Sequence, residues 1–340
     1  MYLSVKSHRR FRNGGGFRRT DPDALRTCNY GALGSGKPDR NDRHVSGAEQ
    51  HKQAYLHIRR HNTDNRSRRH DYTDPLRERM MKMNDPGKPV MTYAAIMNIR
   101  IEYSDENLKR GDKKIEALTQ VLALAAPGIS GNGGMITSVS ESGIDAVFEN
   151  GADKALSAAF EFFTASDGNL SSQERSRLFI GIHWGTVYLA KLSCGSFTTP
   201  VAISEDVLVA RMLSASAKSY DSRIMISGAA TQRIHSFENR FNCRRLGLIL
   251  NGRTGKELNI YDLFDSDPTD LKYGKRRGRL VFETGVKLFL QGEYLQARAY
   301  FIEILKYNRN DKTARKYIFM CDKALSDEKP ADGCKYLEVW

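Results

Sequence analysis

What this 340-residue chain lacks narrows its chemistry first. No run approaches the roughly 18 consecutive apolar residues of a membrane-spanning helix, so no transmembrane segment is expected. The five cysteines, Cys28, Cys194, Cys243, Cys321 and Cys334, are odd in number and form no CxxC pair. That spacing suggests neither a disulfide framework nor a zinc site, and scattered reduced thiols point to a cytoplasmic protein. Met1–Arg10 places its few apolar residues ahead of the basic ones, the reverse of a secretory signal.

Acidic residues are scarce at one end. Residues 1–89 hold 20 Lys and Arg against 10 Asp and Glu, so +10 of the net charge of +13 lies there, with six of the eight histidines. Few aliphatic residues and no periodicity predict a disordered basic leader over 1–89, dispensable for folding. Basic charge of this kind could tether phosphate-bearing partners. Sparse lysine, little aromatic interleaving and no groove-reading motif argue against nucleic acid. The abrupt change at Pro89 also suggests that a later methionine (Met80, Met81, Met83 or Met91) starts the native protein and leaves the leader outside it.

From Val90 the pattern becomes that of a folded domain. Val90–Arg100 is expected as a buried strand and Asp105–Ala126 as an amphipathic helix, followed by a glycine turn over 128–134. Met135–Val139 and Ile144–Phe148 suggest a hairpin, and Ala152–Thr164 a second helix. Leu178–His183 and Thr186–Leu192 suggest another hairpin turning at Trp184-Gly185. Asp206–Ser219 is a third helix, then come Ile224–Ser227, a short helix Ala229–His235, and a last strand pair, Cys243–Leu250 with Leu258–Phe264. This order predicts an α+β fold, a mostly antiparallel sheet with covering helices and a ferredoxin-like core.

Three stretches carry a resemblance. Gly133-Gly134-Met135-Ile136-Thr137-Ser138 leads to Ala146-Val147-Phe148 and an alanine-rich helix. Gly181-Ile182-His183-Trp184-Gly185-Thr186-Val187 follows, and then Ile203–Leu213 running on to Ile224–Ser227, Arg245-Leu246-Gly247 and Ile260-Tyr261. In order and spacing over Val90–Phe264 they resemble the class III adenylate/guanylate cyclase homology domain. The resemblance implies a site built between two such domains. Two carboxylates there hold Mg²⁺ or Mn²⁺, an Asn and an Arg position ribose and phosphate, and a Lys with its partner reads the purine.

At the matching positions this chain has other residues. The metal carboxylates fall at Asn98 and Ser142, the purine pair at Ser138 and Val201, and the Asn and Arg at Leu208 and Met212. Asn98 and Ser142 bring no negative charge. The expectation is therefore a degenerate, non-catalytic module in cyclic-nucleotide signalling that needs no cofactor and pairs with itself or with a catalytic cyclase domain. The alternative is an active cyclase whose Mg²⁺ or Mn²⁺ site is rescued by a nearby acid (Glu102, Asp145, Glu205, Asp206 or, best placed in sequence, Glu141). His183 is expected to be structural.

The C-terminal quarter divides into a basic linker over 266–279, helices over 280–325 and a tail over 326–340. Gly285, Leu288, Ala297, Phe301 and Ile304 lie at the spacing of one tetratricopeptide-like hairpin. A second alternative follows, a scaffold that docks a protein partner through these helices.

Overall fold

The computed structural model describes residues 88–326 apart from 105, 106, 108, 176, 252 and 253, together with 336 and 337. The expected leader, apart from its last two residues, lies outside the described residues. The chain runs β1 (Val90–Ile101), α1 (Gly111–Gly131), β2 (Met135–Ser140), β3 (Gly143–Phe148), α2 (Ala152–Asn169), α3 (Ser172–Arg175), β4 (Leu178–Cys194) and β5 (Phe197–Ile203). It continues through α4 (Glu205–Ala217), β6 (Ile224–Ser227), α5 (Gly228–Thr231), α6 (Phe237–Arg240), β7 (Cys243–Leu250) and β8 (Glu257–Leu263). Three helices close it: α7 (Thr269–Leu290), α8 (Tyr294–Tyr307) and α9 (Lys312–Ser326). The sheet order is β2-β3-β1-β4-β6-β8-β7, with β5 added to β4. The β4–β6 pair is parallel and the others are antiparallel. This is the α+β class that the pattern predicts.

Alternation along β1 sorts its side chains to two covered faces. Ala95, Met97 and Ile99 join Ile144, Ala146 and Phe148 against α1 and the alanine-rich α2. Ala94 and Ile96 face the other way, with Val147, Val187 and Leu189, and meet Val207 and Ala210 of α4. Burial on both sides explains why Ala94–Ile99 reads as a nearly unbroken apolar run. Asn98 interrupts it and points to the α4 side.

Three expectations are corrected. There is no turn at Trp184-Gly185. β4 runs unbroken for 17 residues, and the hairpin turn comes at Gly195 (φ 61°), after which β5 returns along β4. The glycines in β4 serve close approach instead. A Cβ on Gly181 would sit 2.1 Å from the Ala210 carbonyl oxygen, and one on Gly185 would sit 2.2 Å from an Asp206 carboxylate oxygen. α1 starts at Gly111 and continues through Pro127 to Gly131, because Gly128 packs against α2 at Ala158 and Glu161. The predicted linker over 266–279 lies largely inside α7, whose Lys275 and Gly278 are buried.

Leu337 is held against the sheet as well: its amide donates to the Leu248 carbonyl at 2.8 Å, and it is buried. The C-terminal helices share a core with the sheet. Phe282, Val286, Phe289, Phe301 and Tyr317 pack with Leu246, Ile249 and Ile260 of the strands and with Val209, Leu213 and Ala217 of α4. The Phe301 and Tyr317 rings stack at 4.5 Å, and the Tyr317 hydroxyl donates to the Leu246 carbonyl. Buried charge crosses the same boundary. Arg244 pairs with Asp262 (3.1 Å) and with Asp311 (2.6 Å) at the start of α9, while Lys275 of α7 pairs with Asp262 (2.8 Å) and Asp267 (2.7 Å).

Candidate functional site

The centre is built where β1, β3 and α4 meet. Asn98 and Asp145 are direct cross-strand partners, and both are nearly fully buried. The Asn98 amide nitrogen donates to Asp145 Oδ1 at 2.8 Å, and its oxygen accepts from the Ser214 hydroxyl on α4. Arg211, one turn earlier on α4, donates Nε to Asp145 at 3.0 and 3.2 Å and closes a second contact through Nη2. Its guanidinium is held further above its ordinary range by the hydrogen bond to Asp145. The four side chains therefore satisfy one another: a buried carboxylate, its cation, and two neutral groups filling the remaining positions.

α4 is positioned by its start. The Ser204 hydroxyl accepts from the amides of Asp206 (3.0 Å) and Val207 (3.2 Å), and Glu205 and Asp206 place negative charge at the positive end of the helix. Asp206 also reaches the sheet, accepting from the Thr186 amide at 2.7 Å and lying 3.3 Å from His183 Nε2. The hydrogen bond to His183 holds the Asp206 carboxyl below its usual range despite partial burial. His183 Nδ1 lies 2.8 Å from Ser227 Oγ. This Ser-His-Asp line is not a hydrolytic relay, because Ser227 is fully buried and its oxygen caps α5 at the Ala230 amide. His183 fastens β4, β6 and α4 together.

The other predicted positions are dispersed. Ser138 faces Asp145 across the β2–β3 pair. Ser142 is exposed in the turn, 3.0 Å from the Ser140 hydroxyl. Val201 pairs with Ala190 on the β4–β5 hairpin. Leu208 is partly exposed, and Met212 packs against the C-terminal core. Glu141 is exposed and paired with Lys114, and Glu102 is paired with Lys218.

A divalent cation needs several hard oxygen ligands with matching negative charge. These residues do not fit one: Asp145 is already neutralised by Arg211, both ends of the Asn98 amide are engaged, and Glu141 turns to Lys114. Among the described residues, no three His, Cys, Asp or Glu side chains converge as metal ligands. The Asp145–Arg211 pair is what sequence reasoning missed. The available signal was an acid inside the buried stretch Ile144–Phe148, which calls for a cation on a neighbouring element.

Over 221 residues the chain is 26% identical to the terminal-differentiation-specific adenylate cyclase of Dictyostelium discoideum. That stretch is cyclase-like. It spans 62% of this chain and only 10% of the length of that relative. Among solved structures, a bacterial light-regulated adenylyl cyclase matches with a TM-score of 0.45 at 12% identity, covering 69% of this chain and 71% of that one. The adenylate/guanylate cyclase/hydrolase of Silicibacter pomeroyi matches at 0.41 and 21%, covering 52% and 98%. These structural likenesses are too loose to carry a functional argument. No family model matches the chain. Among the described residues of this cyclase-like chain, no helix is long and apolar enough to cross a membrane.

Proposed function

We propose that the chain is a non-catalytic cyclase-like module of cyclic-nucleotide signalling, which acts by pairing with a second copy or with a catalytic cyclase domain. The observation that carries this reading is the closed set Asn98–Asp145–Arg211–Ser214, whose polar groups are spent on one another. Pairing is supported by an uncovered apolar face on the β4–β5 arm. Met91, Tyr188 and Ile203 stand in one cross-strand row, 59%, 48% and 68% exposed, and Tyr93, Leu192 and Phe197 lie on the same face. An apolar face of this kind marks an interaction surface. A symmetric pair is the usual arrangement for two copies.

The test is a cyclase assay of the purified chain with ATP or GTP and either Mg²⁺ or Mn²⁺. No cyclic nucleotide above background is expected, and turnover abolished by Glu141→Gln would overturn the reading. Similarity to an adenylate cyclase favours the active alternative, and this assay separates the two. Docking of a protein through the C-terminal helices gains no support from their inner faces, which pack on the sheet.

A further inference from the structure

β7 stands at one end of the sheet and pairs with β8 alone among the strands. Its outer backbone edge is nevertheless in use. The Leu246 carbonyl accepts from the Tyr317 hydroxyl of α9, and two residues on, the Leu248 carbonyl accepts from the Leu337 amide at 2.8 Å. Leu248 and Tyr336 form a bridge in the parallel sense, so the chain at Tyr336 and Leu337 lies along β7 as a short added strand. The open edge of a sheet is where an extended peptide can add by main-chain hydrogen bonds.

The side chains beside that bridge discriminate. Leu337 is 3% exposed and enters the core made by Leu246, Ile249 and Tyr317. Room for it comes from Gly247, at the bulge in β7, whose φ of 144° favours glycine. A Cβ there would stand 2.4 Å from the Tyr317 hydroxyl and 3.3 Å from Leu337. Tyr336 stays partly exposed and donates its hydroxyl to Glu257 Oε1, at the start of β8, at 2.6 Å. Each contact reads a different feature. The main chain sets the direction, the space over Gly247 takes a leucine, and Glu257 takes a hydroxyl one residue before it.

We propose that the outer edge of β7 is a strand-addition site for an extended Tyr-Leu segment. The chain's own Tyr336-Leu337 holds the site here, and a partner segment of the same chemistry takes it when that pair leaves. Among the described residues, one buried side chain and two hydrogen bonds keep the pair in place, few enough to exchange. Covalent attachment makes Tyr336-Leu337 a competitor at an effective concentration on the order of millimolar. A partner of modest affinity is therefore kept out of the intact chain until its own segment is displaced.

The inference does not rest on the proposed function, and its test uses no cyclase readout. Fluorescence anisotropy follows a labelled peptide with the sequence of residues 335–340 as it binds two whole chains. One is the parent and the other carries Leu337→Asp, whose own segment no longer fits the apolar space. Saturable binding to Leu337→Asp is the expected result, with binding to the parent at least about tenfold weaker. A peptide carrying Leu337→Asp should not bind. A peptide carrying Tyr336→Phe should bind a few-fold more weakly, as should the unmodified peptide to a chain with both Leu337→Asp and Glu257→Ala. A cooperative thermal transition checks that the variant is folded, and Leu337→Ala takes its place, with the same order of affinities, if it is not. The proposal is overturned if the peptide does not bind the folded variant at about millimolar concentration. It is equally overturned if the parent binds it as tightly, or if a scrambled peptide binds as well.

Discussion

Replacing Arg211 by Met keeps most of the side-chain volume and removes the cation, which isolates what the ion pair does for α4. Asp145, 3% exposed, would keep one hydrogen bond from Asn98 and lose every contact to guanidinium. Removing one partner of a fully buried pair costs about 3–5 kcal/mol. The Arg211 side chain is 43% exposed, however, so solvent already screens part of the pair and can reach the orphaned carboxylate. The expected loss is therefore about 2–3 kcal/mol. Urea unfolding measures it as a lower midpoint at constant slope. The decisive arm is the double variant. Asp145→Asn in the Arg211→Met background removes the unpaired charge and should recover at least half of the loss, whereas Asp145→Asn alone leaves Arg211 without its acid. A single-variant loss below about 0.5 kcal/mol, the range of ordinary surface substitutions, would refute the argument. So would a double variant no more stable than Arg211→Met.

Other outcomes follow from the same geometry. Gly181→Ala should cost at least about 3 kcal/mol or prevent folding, since its Cβ meets α4 backbone atoms at 2.1 and 2.6 Å; a midpoint within error of the parent would show that α4 can shift. Tyr188→Glu with Ile203→Glu should abolish self-association in sedimentation at high micromolar concentration and leave the thermal midpoint unchanged. Burial pushes the Asp267 carboxyl up to about 6, from an ordinary 3.8. The folded state then binds more protons than the unfolded one between those values, so this group makes the protein more stable as pH falls through 6. Thermal midpoints in phosphate-free buffer should show that slope in the parent and not in Asp267→Asn. Restoring any one of Asn98→Asp, Ser142→Asp, Leu208→Asn or Met212→Arg should leave cyclase activity at background, because Arg211 still occupies Asp145.

The strands and helices up to Leu263 were largely legible, because period-2 and period-3.6 patterns survive wherever one face is buried. The misreadings cluster at glycine. Gly181 and Gly185 suggest a turn, yet they answer to α4 crossing β4, and nothing local tells close approach from chain reversal. Gly128 inside α1 is the same confusion between helices. Phe197–Ile203 does not read as a strand, because its alternate residues include threonine and proline on one side and exposed apolar groups on the other. The emptied positions Asn98 and Ser142 were visible in the chain. What fills the centre was not, since Asp145 and Arg211 lie 66 residues apart and meet only through tertiary packing. The 266–279 stretch looked like a linker because its basic residues mask a helix whose Lys275 is buried among acids.

The shared core beneath α7–α9 fixes where this molecule can be cut. A piece ending near residue 265 would bare Leu246, Ile249 and Ile260 and leave Arg244 with only Asp262 of its two acids. Such a fragment should bind hydrophobic dyes and aggregate, whereas one ending at Leu337 should not. The three helices are thus no detachable attachment to a cyclase-like unit. The smallest portion that could be grafted into another protein is the sheet together with all three and the chain through Leu337.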